Sequence, residues 1–183
     1  GNMANELVKF ILTEKHPKLY TVFMGIPNEH YPSQKDSSIN LESKNILFMG
    51  NVSEENRLWY KGVDLMIDAF HLAFKKDPDI TITIVGEWGK NLTDKLLANL
   101  NENTKKAICF TGAADDLGQY TKTSSLYLHC ARGEAFGITI LIAMAAGIPP
   151  IISEWTGAKE VVEQVDKRLI VPLDANSIAE KIL

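Results

Sequence analysis

The stretch Glu134-Ala135-Phe136-Gly137-Ile138-Thr139-Ile140-Leu141-Ile142-Ala143-Met144-Ala145-Ala146-Gly147-Ile148-Pro149 decides how this chain folds. It opens with one carboxylate and a Phe-Gly turn, continues as an apolar run, and closes with glycine and proline. The pattern predicts a buried helix over residues 137–146 that begins beside a charged loop. The first amides of such a helix have no intrahelical partner, so they can bind an anionic group.

The same run is not predicted to cross a membrane. Residues 135–152 carry no charge, and about 18 residues is the minimum for a transmembrane helix. Gly147, Pro149 and Pro150 interrupt the run, because proline lacks a donor and clashes with the preceding turn. A helix, a tight turn and a buried strand are the better interpretation, and we expect a soluble, cytoplasmic protein.

Strand-like and helix-like segments alternate along the rest of the chain. Thr156 and Asn176 are candidate helix starts. The alternation predicts an α/β domain with a Rossmann-like, doubly wound parallel sheet, whose ligands bind at the carboxyl ends of the strands. The predicted strands are 19–24, 45–49, 80–85, 107–110, 125–129, 150–152 and 168–171, and the predicted helices are 63–74, 93–101, 115–121, 137–146, 157–164 and 176–182.

Composition and charge limit the function classes. A chain of 183 residues with 45% hydrophobic content suits one domain with a substantial core. The net charge of −4 and the lack of a basic stripe argue against nucleic-acid binding. The polar stretch 33–44 is interpreted as a linker between segment 1–32, which includes the first strand, and a main domain at 45–183. Cys109 and Cys130 lack CxxC spacing, so we expect two buried thiols and no metal site.

Two common α/β alternatives find weak support. A dinucleotide-binding fold requires GxGxxG after its first strand, and the nearest candidate, Gly86-Glu87-Trp88-Gly89, lacks the third glycine. A phosphate-accepting receiver domain requires aspartates at early strand ends, and Asp115 and Asp116 come too late in the chain.

Ordered blocks over residues 20–183 resemble the group 1 glycosyltransferases, which use nucleotide sugars. The stretch quoted first is similar to the family's Glu-x-Phe-Gly loop and its Ala-Met-Ala-x-Gly-x-Pro helix end. Lys61-Gly62 is similar to its Lys-Gly turn, and Val171-Pro172-Leu173-Asp174 to its closing Val-Pro-x-Asp. The order and spacing of the blocks make the resemblance specific. Further similar blocks are 22–27, 46–50, 82–86, 108–112, 125–137 and 153–162.

The resemblance implies the C-terminal, donor-binding half of a GT-B glycosyltransferase that transfers a sugar with retention of configuration. The substrate would be a UDP-, GDP- or ADP-sugar, with no other cofactor, and the acceptor a glycan, a lipid or a small molecule. The partner would be the protein's own N-terminal acceptor domain, through which the enzyme could contact a membrane peripherally. We expect the present chain alone to be inactive in transfer.

The resemblance also assigns roles to residues. Lys61 would bind the diphosphate, and Arg57, from an enlarged loop at 53–60, would replace the family's partner arginine, whose position holds Asn51. Glu134 would address the donor sugar, as the first carboxylate of the E-x7-E motif. Lys61 and Glu134 are the implied catalytic residues. The implied donor site comprises Arg57, Lys61, Thr111, Gly112, Ala113, Glu134, Phe136, Gly137, Ile138, Thr139 and Ile142.

Ile142 departs from the family pattern, which has a second glutamate there to accept hydrogen bonds from the ribose. Without that acceptor, affinity would fall by about ten- to a hundred-fold. Glu154 or Glu160 could take over, the donor could be unusual, or the domain could be a non-catalytic GT-B-like module that binds a nucleotide or a partner. A glycogen-synthase-like glucan transferase is a more distant alternative. His129 is expected to be a strand-end histidine with its hydrogen bonds satisfied.

Overall fold

The computed structural model describes residues 25, 26, 40 and 42–183. The expected strand at 19–24, almost all of segment 1–32 and most of the linker at 33–44 lie outside the described residues. The strands within these described residues are β1 (Asn45–Met49), β2 (Thr81–Val85), β3 (Ile108–Gly112), β4 (Leu126–His129), β5 (Pro150–Ser153) and β6 (Ile170–Val171). The helices are α1 (Glu55–Tyr60), α2 (Val63–Lys76), α3 (Lys90–Leu97), α4 (Glu102–Lys106), α5 (Gly118–Lys122), α6 (Ile138–Ala145), α7 (Lys159–Val165) and α8 (Ala175–Ile182), with a 3-10 turn at Lys167–Leu169.

The strands form one parallel sheet in the order β3-β2-β1-β4-β5-β6. This is the Rossmann order, so the predicted doubly wound fold is confirmed. The chain runs outward from β1 to one edge and then returns to continue on the other side from β4. The connections after β1 and β4 therefore diverge, and the crevice between their carboxyl ends is where such sheets bind ligands.

Apolar side chains cover both faces of the sheet. In β1, Ile46 and Phe48 join one core, whereas Leu47 and Met49 join the other, as the two-residue period of a strand requires. Helices α2 and α8 contribute Phe70 and other residues to the first core. Helix α6 contributes Ile140, Ile142 and Ala143 to the second core.

Several local expectations need correction. Segment 53–60, predicted as a loop, contains helix α1, and helix α4 was not predicted. Asn176 does not begin the last helix: the carboxylate of Asp174 accepts from the Ser177 amide and caps α8. Thr156 lies in the loop before α7. Cys130 is buried as expected, but Cys109 is exposed, because β3 is an edge strand with an open outer surface.

No helix in the described part of the chain is long and apolar enough to cross a membrane. The run at residues 135–152 instead divides into helix α6, a turn and strand β5, as predicted.

Candidate active site

Lys61 occupies the corner between α1 and α2 at the carboxyl edge of the sheet. Gly62, the residue that precedes α2, has a left-handed φ of 66°. A Cβ atom at this position would lie 1.8 Å from the carbonyl oxygen of Cys130, directly after β4. Only glycine combines this backbone conformation with so close an approach. The glycine therefore brings Lys61 beside the end of β4.

Glu134 lies in the loop that joins β4 to α6, and the loop after β5 holds it in place. Its amide donates to the carbonyl oxygen of Trp155 at 3.2 Å. Its carbonyl oxygen accepts from the amide of Gly157 at 2.9 Å, which completes a short parallel bridge with Thr156. The backbone of Glu134 is thus bound on both sides, and only the side chain is left to reorient.

Lys61 and Glu134 meet in the crevice between the ends of β1 and β4, although they are 73 residues apart in sequence. Lys61 Nζ lies 3.5 Å from Glu134 Oε2, and the two side chains are 13% and 21% exposed. The structure therefore places the cation and the carboxylate expected from the sequence in direct contact at the topological switch point of the sheet.

His129, the last residue of β4, lies on the other side of the same carboxylate. Its Nε2 is 3.6 Å from Glu134 Oε2, too far for a hydrogen bond. The expectation of a histidine with satisfied hydrogen bonds is wrong, because this buried Nε2 has no hydrogen-bond partner among the described residues. Its Nδ1 faces the hydroxyl of Tyr127 at 3.4 Å.

The surroundings of Glu134 and His129 shift the pKa values of both groups. The neighbouring His129, and then the Lys61 ammonium, lower the pKa of the Glu134 carboxyl to about 2, against the opposing effect of burial. Burial lowers the pKa of the His129 imidazole, and Glu134 counteracts that effect only in part. At neutral pH the site therefore contains an ionised carboxylate beside a neutral imidazole.

Gly137, the residue that precedes helix α6, lies next to this group and has a φ of 80°. A Cβ at Gly137 would lie 2.7 Å from Ile140 and 3.2 Å from Cγ of Glu134, so glycine lets the loop turn tightly into the helix. The first amides of the helix, at Ile138 and Thr139, have no intrahelical acceptor. The Thr139 hydroxyl lies 2.8 Å from the Tyr127 hydroxyl, so it already has an internal partner.

The residues expected near the nucleobase lie at the carboxyl end of β3. Gly112 has a φ of 78°, and its carbonyl oxygen accepts from the Gly86 amide at the end of β2. Thr111 is half-buried and Ala113 is exposed. These residues share the sheet edge with Lys61 and Glu134, but no described contact joins the two groups.

Arg57 and Asn51 occupy different settings. Arg57 is exposed on α1 and makes no ion pair with any described residue. Asn51, at the position where the family has arginine, accepts a hydrogen bond from the Glu87 amide through its Oδ1 at 2.9 Å. Asn51 thus ties the loops after β1 and β2 together, and its side chain offers no cation.

Ile142 packs in the second core and is 5% exposed. Its side chain therefore presents no acceptor to the crevice. Of the two carboxylates considered as replacements, Glu154 is exposed after β5, and Glu160 is half-buried in the first turn of α7.

The sequence did not reveal the role of Arg132, which braces the loop before Glu134. Its guanidinium forms a bidentate pair with Asp64 in the first turn of α2, at 2.7 and 2.8 Å. It also donates to the Trp59 carbonyl oxygen and lies 4.9 Å from the centroid of the Trp59 ring. The Arg132 amide donates to the Tyr60 carbonyl oxygen at 2.8 Å. These contacts join the loop that carries Glu134 to the corner that carries Lys61.

Comparison with known proteins finds a family match over most of the chain. Residues 43–183 match the family model described as "Glycosyl transferases group 1". A phosphatidyl-myo-inositol mannosyltransferase of Mycobacterium tuberculosis is 29% identical over 140 residues, which are 73% of this chain and 34% of that protein. The chain thus spans about a third of the length of this relative.

Solved structures show the same fold. The Anabaena protein HepE, crystallised with UDP-glucose, superimposes with a TM-score of 0.68 at 23% identity, over 86% of this chain and 45% of HepE. The C-terminal domain of a group 1 family protein, LpcC, from Francisella tularensis superimposes with a TM-score of 0.65 at 22% identity, over 86% of each chain. The described domain has the fold of one Rossmann-like half of a GT-B protein.

Proposed function

The chain belongs to the group 1 glycosyltransferases, and on that basis we propose that residues 45–183 bind the nucleoside diphosphate sugar from which the enzyme transfers a hexosyl group. The observation that carries the proposal is the contact of Lys61 with Glu134 in the crevice between β1 and β4. A glycosyl donor needs a cation for its diphosphate and an acceptor for its sugar hydroxyls, and these two side chains supply both.

The reaction builds negative charge on the leaving diphosphate. Lys61 neutralises that charge from one side, and the first amides of α6 do so from the other. Binding breaks the contact between Lys61 and Glu134, since the phosphates take the ammonium. Glu134 then accepts hydrogen bonds from the sugar. Arg57 approaches the phosphates only if its side chain turns toward the crevice.

The rest of the donor follows the edge of the sheet. Thr111, Gly112 and Ala113 lie beside the base, and Phe136 lies in the loop between Glu134 and α6. The ribose lies toward α6, where Ile142 offers no hydrogen-bond acceptor. We propose transfer with retention of configuration to a glycan, lipid or small-molecule acceptor held by a separate N-terminal half. HepE suggests UDP as the nucleotide, and the mannosyltransferase suggests a mannosyl group.

The proposal is tested by titrating the chain with UDP, GDP, ADP and their hexose conjugates, with ligand-observed NMR as the readout. Lys61→Ala should weaken binding of the preferred nucleotide at least tenfold, on the order of 1.4 kcal/mol. Lys76→Ala is the matched control, because Lys76 is an exposed lysine at the opposite end of α2. If both variants bind as the wild type does, Lys61 does not hold the diphosphate.

Ile142→Glu tests the ribose position in the same titration. The new carboxylate should tighten nucleotide binding, while it lowers stability because it replaces a core side chain. Ile142→Leu, which restores no acceptor, is the control. If no nucleotide binds to the wild type or to Ile142→Glu, the chain is not a donor site, and a non-catalytic module becomes the better interpretation.

A further inference from the structure

His129 carries an unsatisfied polar atom that points into the proposed donor site. Its side chain is 1% exposed, and Nε2 has no hydrogen-bond partner among the described residues. Leaving such an atom unpaired costs free energy, so buried polar atoms without partners are rare and call for an explanation. The atom that Nε2 faces, at 3.6 Å, is Oε2 of Glu134, the oxygen that also contacts Lys61.

The neighbours of the ring determine where its proton lies. Nε2 faces a carboxylate, which can only accept, so the proton belongs on Nε2. Nδ1 is then an acceptor, and the hydroxyl of Tyr127 at 3.4 Å can donate to it. The Tyr127 hydroxyl also donates to Thr139 Oγ1 at the shorter distance of 2.8 Å, so its contact with Nδ1 is the weaker of the two. The Met49 carbonyl oxygen is a further acceptor for the Tyr127 hydroxyl, at 3.4 Å.

We propose that His129 is a positioning residue for Glu134, with Nε2–H as the buried donor that faces the Glu134 carboxylate. This inference rests on the proposed function. When Lys61 takes the diphosphate, Glu134 loses its cation, and His129 Nε2 becomes the protein donor that holds the carboxylate toward the sugar. A shift of less than about 1 Å brings the two atoms into hydrogen-bond distance.

The surroundings of the ring suit this role. Phe48 stacks against the imidazole, with centroids 5.6 Å apart and planes 20° from parallel, so the ring plane is set by packing. The titratable groups that face it are Lys61, Glu134 and Tyr127. Burial lowers the pKa of His129, so the ring stays neutral near pH 7 and keeps a single Nε2 proton.

The first test reads the tautomer directly. In long-range ¹H–¹⁵N spectra of the ¹⁵N-labelled chain at pH 7, His129 should be neutral with its proton on Nε2, its signals being assigned by their loss in His129→Phe. Glu134→Gln should shift the ring resonances, because it changes the group that Nε2 faces. A wild-type ring protonated on Nδ1 would overturn the inference.

The second test separates positioning from simple support of the fold, with UDP and UDP-glucose as probes, or the GDP or ADP pair if that base binds. His129→Phe should weaken binding of the sugar conjugate about 5- to 20-fold and leave that of the free nucleotide unchanged within about twofold. His129→Gln, which keeps a side-chain N–H donor, should recover much of the loss. Equal weakening of the binding of both ligands would mean that His129 has only a structural role. This result would overturn the inference about His129 and leave the proposed function standing. If the wild-type chain binds no nucleotide, the proposed function fails as well.

Discussion

At the scale of single residues, the carboxylate of Glu134 lies between the other two charged or titratable side chains of the site. Glu134 Oε2 lies 3.5 Å from the Lys61 ammonium and 3.6 Å from the neutral His129 ring. In the proposed donor site the two neighbours have different roles, because Lys61 would leave for a phosphate whereas the ring of His129 is fully buried. If the proposed donor binds, the carboxylate would therefore keep His129 as a neighbour after Lys61 has left.

This arrangement predicts acid-sensitive stability. The pKa of Glu134 is lowered to about 2 and that of His129 is also lowered, so on acidification the unfolded chain binds protons at both groups before the folded chain does. Stability present near pH 7 is therefore lost as the pH falls. From pH 7 to 4 the wild type should lose at least about 1 kcal/mol more than His129→Phe/Glu134→Gln, measured by urea unfolding. Equal losses of unfolding free energy in the wild type and the double variant would contradict the assigned protonation states.

At the scale of elements, the corner between α1 and α2 meets the end of β4 at Gly62. A side chain there would have to push the corner away from Cys130, and Lys61 would move with it. The placement of the lysine is thus a property of backbone packing, and the Arg132–Asp64 pair reinforces it from the other side.

Gly62→Ala is predicted to lower both stability and nucleotide affinity. Gly112→Ala is the matched control, because Gly112 is also left-handed but a Cβ atom there would meet nothing within 4 Å. Both variants incur backbone strain of about 1–2 kcal/mol, and Gly62→Ala adds a steric clash. Its loss in free energy of unfolding should exceed that of Gly112→Ala by about 2 kcal/mol or more, measured by urea unfolding. Equal losses would show that the corner can move freely.

Elements with a strong hydrophobic period were predictable from the sequence, and elements that depend on tertiary contacts were not. The five longer strands that the structure describes appear in the sequence as apolar runs, because parallel strands are buried on both faces. Helix α1 has only six residues, none of them buried, so its sequence is too short to show a helical period. Glu134 and Lys61 were identified by motif, but their contact depends on the strand order. Tyr127 was indistinguishable from a core aromatic, since only tertiary structure reveals its hydroxyl contacts.

At the scale of the whole molecule, two cores hold the sheet between layers of helices. The last helix, α8, packs on α2 and contributes Ile178 and Ala179 to the first core. Because α2 begins at Gly62, this packing supports the corner of the site from the far end of the chain.

Ile178→Ala should therefore destabilise the domain by about 2–5 kcal/mol, because Ile178 is fully buried and its truncation leaves a cavity. Val165→Ala is the control, since Val165 is 68% exposed and should change stability by less than about 0.5 kcal/mol. Urea unfolding of both variants measures the difference. A small effect of Ile178→Ala would mean that α8 adds little to the folded domain.

The contact between Lys61 and Glu134 also has a kinetic consequence. A lone cation at the crevice would attract a diphosphate from a distance, and such steering accelerates association and weakens with salt. Here the opposite charges lie 3.5 Å apart, so their fields largely cancel outside the crevice. On the proposed function, an arriving donor must displace the Glu134 carboxylate from Lys61. The association rate constant of the donor should then depend on how often the Lys61 and Glu134 side chains separate. It should vary little with ionic strength.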